Sequence, residues 1–207
     1  MVLEQELKLT ARDAAALDRV LESSAVHEHT IAGSERPSRR FYATYYDTPD
    51  RKLERLQWSL RVRREGSRWK ASLKTRGAMV DGVSSREEFE EPVSGWIAVV
   101  GELPPGDLRA KVSQALDEDD LLEPRVIVDV MRSTRDLDLG GAVAELVTDR
   151  GVITAGGRSV ELYEVELELR SGDFGLLDAF GRRLADEYGL NPSLVSKQEI
   201  GIELLRS

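Results

Sequence analysis

The sequence predicts an α+β protein in which about eight antiparallel strands lie beside three or more amphipathic helices. Three observations carry this expectation. Segments 58–77, 125–151 and 159–170 alternate apolar and polar residues, the period of a strand. Short Gly-containing turns at Gly66 and at Gly140-Gly141 join successive strands as neighbours, which demands antiparallel pairing. Segments 10–24 and 173–190 instead repeat their apolar residues at helical spacing.

Taken in order, residues 2–10 read as a strand, and 10–24 as a helix capped by Thr10. SRRFYATYYDT (38–48), aromatic and bounded by Pro37 and Pro49, is a strand, followed by a short helical turn at 50–57. Residues 58–77 form a hairpin, and VSSREEFEEPV (83–93) adds another strand. Residues 94–122 read as helical, interrupted by the loop LPPG (103–106). A second hairpin spans 125–139 and 142–151, and SVELYEVELELR (159–170) is the longest alternating run. Helices at 173–190 and 193–205 complete a single domain over residues 1–207. His27 and His29 are read as surface residues of an edge strand.

Composition narrows the chemistry. Among 207 residues the formal net charge is −9, which opposes a broad nucleic-acid-binding face. With no cysteine there are no disulfides, thiol nucleophiles or zinc–thiolate sites, and two histidines make a His-rich metal site unpromising. Glu4 stands where a secretory leader would be basic, and no run of 18 apolar residues occurs, so a cytoplasmic, non-membrane protein is expected. The apolar segment GWIAVV (95–100) offers a homodimer contact.

The strands share a charge pattern. Glu4, Glu6 and Lys8 fall on one side of the first strand, opposite Leu3, Leu7 and Leu9. Arg61 and Arg63, Lys70 and Lys74, Arg86 with Glu88 and Glu90, and Glu164 with Glu166 and Glu168 repeat the arrangement. Such faces are either the solvated side of an open sheet or the lining of a closed barrel. Segregation by sign favours a lining: cations dominate 61–74, whereas anions dominate 4–6, 88–90 and 164–168. Buried charges persist only if paired, hydrated or bound to a ligand. A cationic wall beside carboxylates suits a polyphosphate held with a hard divalent cation.

The ordered motifs resemble the CYTH superfamily, the triphosphate tunnel metalloenzymes. Glu4, Glu6 and Lys8 match its N-terminal ExExK strand, YYDTP (45–49) its second-strand signature, and SLRVRREGSRWKASLK (59–74) its Arg-x-Arg hairpin ending in lysine. REEFE (86–90), MRST (131–134), LVTDRG (146–151), YEVELEL (163–169) and SK (196–197) follow in the family's order.

The resemblance implies an eight-stranded antiparallel closed β-barrel with flanking helices, and a metal-dependent triphosphatase using Mg²⁺ or Mn²⁺ on a small-molecule triphosphate such as tripolyphosphate. Class IV adenylyl cyclases and a non-catalytic polyphosphate- or nucleotide-binding module share the same grip. By the same resemblance, Lys8, Arg61, Arg63, Lys74, Arg86, Arg132 and Lys197 bind the triphosphate, with Arg135 as the alternative to Arg132. Glu4, Glu6, Glu88, Glu90, Asp149, Glu166 and Glu168 serve the metal, and Glu4, Glu6, Lys8 and Lys74 stand closest to the chemistry. The family's thiamine triphosphatases carry an aromatic residue two positions before the first arginine; here that position is Ser59, with Trp58 on the opposite parity.

Overall fold

The computed structural model describes residues 5–75, 78–80, 83–85 and 87–206. Strand β1 (Glu6–Thr10) leads to helix α1 (Ala14–Leu21). The helix cap is not Thr10, which ends β1, but Asp13, whose carboxylate accepts the Ala16 N–H at 2.8 Å. Ser23 opens a separate helix α2 (Ser24–His29), so both histidines are helical and not in an edge strand.

β2 (Arg36–Asp47) passes into α3 (Lys52–Leu56), and the hairpin β3 (Ser59–Glu65) and β4 (Arg68–Lys74) follows as expected. A small ribbon, β5 (Ala78–Val80) with β6 (Val83–Ser85), precedes β7 (Glu88–Val93). Residues 94–122 yield only a 3₁₀ turn (Val100–Glu102) and α4 (Asp107–Val112). Pro104, Pro105 and Gly106 break the first half, and the acidic run 117–120 the second.

β8 (Glu123–Asp138), β9 (Ala142–Ala155) and β10 (Arg158–Gly172) form the long meander, followed by α5 (Phe174–Tyr188), β11 (Asn191–Pro192) and α6 (Lys197–Arg206). β9 runs past its expected end because Gly156 and Gly157, both at positive φ, make a two-residue turn into β10.

The main sheet has nine strands in the order β11-β1-β10-β9-β8-β2-β3-β4-β7. This corrects the eight-stranded expectation. Among the described residues no ladder joins the two ends into a closed barrel. Each edge carries a proline, Pro92 in β7 and Pro192 in β11, which removes a donor from that edge. β11 also occupies the free side of β1, with Ser193 N–H donating to the Lys8 carbonyl at 2.9 Å. No described helix is long and apolar enough to cross a membrane.

The sheet is covered on one face by two helical cores. α1, α2 and α5 pack on Leu9, Leu137, Leu146, Val165 and Leu167, while α3, α4 and residues 97–122 pack on Leu60, Val62, Ala71 and Leu73. Ile97 and Val100 of the segment read as a dimer contact belong to this second core, whereas Trp96 stays exposed against Trp69 and Tyr42. The opposite face carries the alternating charges. Helix α6 lies on its apolar part, burying Phe41, Tyr45, Val126, Val128, Ile153 and Leu162 beneath Ile200, Ile202 and Leu204. Gly201 permits that approach, because a Cβ there would stand 2.2 Å from Val126 Cγ1.

The YYDTP segment has a structural role. The Asp47 carboxylate, buried at the end of β2, accepts N–H bonds from Thr48 (2.8 Å), Leu53 (2.8 Å) and Glu54 (2.9 Å), fixing the start of α3. Asp47→Ala leaves three N–H donors without that acceptor. It is expected to lower unfolding stability by about 2–3 kcal/mol in urea denaturation, with Asp47→Asn losing less.

Candidate functional site

Register brings the charged side chains together. In the β1–β10 ladder Lys8 pairs with Glu166, Glu6 with Glu168 and Thr10 with Glu164. Glu164 pairs in turn with Asp149 of β9, and Asp149 with Arg132 of β8. Since cross-strand partners share a face, Asp149, Glu164, Glu166, Lys8 and Arg132 converge.

Helix α6 adds Lys197 from its first turn. Its ammonium lies 3.0 Å from Asp149, 3.1 Å from Glu166 and in direct contact with Glu164. Arg132 meets Asp149 with two bonds of 2.8 and 2.6 Å, stands 3.7 Å from Glu166, and lies 4.3 Å over the buried Phe41 ring. Lys8 is 3.4 Å from Glu166 and 3.6 Å from Glu6. Arg135 points to the other face, where it pairs with Glu35 at 3.0 Å, so Arg132 is the arginine of the charged face.

Electrostatics separate the two neighbouring glutamates. Burial pushes Glu164 up to about 7; Lys197 works against that rise, and Glu166 adds to it. Burial also raises Glu166, but Lys197, Lys8 and Arg132 outweigh it and hold that carboxyl well below the usual range. Lys197 and Arg132 lose hydration in the same place, yet the surrounding carboxylates raise both above their ordinary values. The site therefore keeps its cations charged and is short of negative charge at Glu164.

The donors suit a hard cation. One carboxylate oxygen each from Asp149, Glu164 and Glu166 lies within 4.8 Å of the others. Glu164 is fully buried, and its Oε2 takes no hydrogen bond. An oxygen left alone at that depth is costly, and a divalent ion is the partner that all-oxygen ligands fit. Glu164 shares the parity of Glu166 and Glu168, and alternation alone does not reveal its depth.

The remaining acids lie elsewhere on the face. Glu168 is held by Arg170 at 2.6 Å, and Glu145 by Arg36 at 2.8 Å. Glu88 pairs with Lys74 at 3.2 Å; Glu90 pairs with Lys70 at 2.7 Å and Arg63 at 3.2 Å. Glu4 and Arg86 lie outside the described residues.

Arg61, Arg63, Lys70 and Lys74 form the cationic wall on β3 and β4. Arg61 makes a single long bond, 3.3 Å, to Ser72 Oγ. Burial, then Arg61, push Arg63 below its ordinary value; Glu90 and Glu65 oppose the shift, and Arg132 reinforces it. Arg63 Nε is buried without a hydrogen bond. Glu65 lies 3.3 Å from that Nε without bonding it, and a wall of mutually repelling guanidiniums suits an incoming polyanion. Trp58 packs with the helical core, its ring 5.6 Å from Lys111, and so stands away from this wall.

Comparison with known proteins places this arrangement in context. Residues 3–200 match the CYTH domain. The chain is 31% identical over 159 residues, 76% of its length, to an inorganic triphosphatase of Haemophilus influenzae, of which the match covers 44%. The chain thus spans less than half of that relative. Among solved structures, a proposed adenylyl cyclase of Hippeastrum, described with a dominant triphosphatase activity, superposes with TM-score 0.66 at 19% identity, covering 98% of this chain and 96% of that one. A proposed adenylate cyclase of Bacillus halodurans gives 0.60 at 14% identity, with 94% of both chains covered. At these identities the likeness is one of fold.

Proposed function

The chain belongs to the CYTH domain family, and from that premise we propose that it is a metal-dependent triphosphatase releasing the terminal phosphate of inorganic tripolyphosphate. The observation that carries the reading is the buried Asp149–Glu164–Glu166 group, with its unpartnered Glu164 oxygen, on the same sheet face as Arg61 and Arg63. The kinship with a protein named inorganic triphosphatase supports the same chemistry.

Arg61, Arg63 and Lys74 would hold phosphate oxygens and offset the charge that develops on them. Asp149, Glu164 and Glu166 would hold Mg²⁺ or Mn²⁺, which supplies Lewis-acid polarisation of the phosphoryl group and of a bound water. Lys8 and Lys197 keep Glu166 ionised for that purpose. In the net reaction water adds to the terminal phosphorus, the bond to the bridging oxygen breaks, and pyrophosphate leaves with orthophosphate as the second product. Charged residues flank the acidic group, with Glu6, Glu145, Glu168, Arg36 and Arg170 all nearby in the ladder. That lining favours a substrate charged along its whole length over one carrying an organic base. Closure of the sheet into a tunnel belongs to the same proposal: its two ends, β11 beside β1 and β7 with Glu88 and Glu90, would come together around the substrate.

The raised Glu164 makes a pH prediction. Below about pH 7 this carboxyl holds a proton that a cation must displace, so proton and metal compete. Apparent Mg²⁺ or Mn²⁺ affinity is expected to rise between pH 6 and 8, at most about tenfold per unit, and then to level off. Calorimetry in buffers of different ionisation enthalpy should register proton release on binding. An affinity flat across this range, with no proton released, contradicts the metal assignment.

A further inference from the structure

We propose that Arg39 is a specificity residue that grips the solvent-side end of a polyphosphate chain; this rests on the triphosphate-binding reading above. Arg39 is one of three arginines near the start of β2, and its neighbours are committed. Arg36 bonds Glu145 at 2.8 Å, and Arg40 makes a two-bond pair with Asp129 at 2.7 and 2.5 Å. Arg39 is exposed and takes no hydrogen bond or ion pair among the described residues.

Its direction follows the alternation of β2: Arg39 pairs with Arg132, Phe41 with Val130 and Ala43 with Val128, in regular register on one face. Arg36 pairs with Thr134, so three steps along β2 match two along β8. This bulge contains Pro37, which cannot donate to the ladder, and it brings Arg36 to the same face.

Two arginines directly across a ladder repel each other. Arg132 is compensated by Asp149, whereas Arg39 has no such partner. An uncompensated guanidinium on the face of the acidic group, at the solvent margin, is explained by an anion that arrives from solvent. The planar fork matches a terminal phosphate. In this proposal it is the third phosphate that reaches this margin, so pyrophosphate, one unit shorter, would leave Arg39 unengaged.

The test compares the wild type with Arg39→Ala and Arg39→Lys. Steady-state kinetics give KM and kcat for tripolyphosphate, and calorimetry gives the affinities of tripolyphosphate and pyrophosphate. Arg39→Ala is expected to raise KM and weaken tripolyphosphate binding about tenfold, with kcat within about twofold, pyrophosphate affinity unchanged and partial recovery in Arg39→Lys. Thermal stability without ligand should stay the same or rise, because a like-charge contact is lost. Equal effects on both ligands, or on neither, overturn the assignment. If the wild type binds tripolyphosphate without hydrolysing it, the triphosphatase reading fails, and the calorimetric contrast still decides Arg39.

Discussion

Glu166→Gln is expected to abolish cation-dependent phosphate release, lowering kcat/KM on the order of a thousandfold. Glu166 is the carboxylate on which three cations converge: Lys197 at 3.1 Å, Lys8 at 3.4 Å and Arg132 at 3.7 Å. Neutralising it would remove a ligand of the proposed cation and leave Lys197, Lys8 and Arg132 with Asp149 and Glu164 as the remaining carboxylates of the group. Divalent affinity should fall roughly 10- to 100-fold, read by calorimetry independently of turnover. Stability should fall too, by about 3 kcal/mol, because buried charges are left with one partner fewer. Retained activity together with unchanged metal binding would place the chemistry elsewhere.

The second large effect belongs to the opposite wall. Arg61→Ala and Arg63→Ala are each expected to cost roughly 100- to 1,000-fold in kcat/KM, chiefly in kcat if these groups grip the charge that builds up on the phosphoryl oxygens. Their folded-state contacts are few: Arg61 makes one 3.3 Å bond to Ser72, and Arg63 pairs with Glu90 at 3.2 Å and Glu65 at 3.3 Å. Removing either guanidinium also relieves their mutual repulsion, so the folded protein should not lose stability comparably. A loss of activity in proportion to lost folding would make the arginines structural.

The sequence made some of this legible and hid the rest for physical reasons. Alternation revealed which side of each strand is charged, because the period of two is independent of neighbours. The hairpins at 58–77 and 125–151 were announced by their turn glycines. Register was not visible. The triple Glu164, Glu166 and Glu168 has one parity, and only the pairing of Glu164 with Asp149 decides which members reach the buried group. The bulge between Arg36 and Arg39 is equally silent in the sequence, and with it the face that Arg36 takes.

The terminal helix was foreseen, but not the face on which it lies. Amphipathicity requires that α6 bury one side, and Gly201 against Val126 selects the apolar half of the charged face. Residues 94–122 looked helical from their apolar spacing, and the prolines and acidic run proved stronger than that spacing. Closure of the sheet depends on pairing between its two ends, which no local pattern encodes.

Product analysis of tripolyphosphate, ATP and thiamine triphosphate with Mg²⁺ or Mn²⁺, run beside Glu166→Gln, decides whether this chain is a triphosphatase. Orthophosphate and pyrophosphate are expected from tripolyphosphate in preference to products of the other two, and are expected to be lost in the variant. Cyclic AMP with pyrophosphate from ATP, or tight triphosphate binding with no product at all, would contradict the triphosphatase reading.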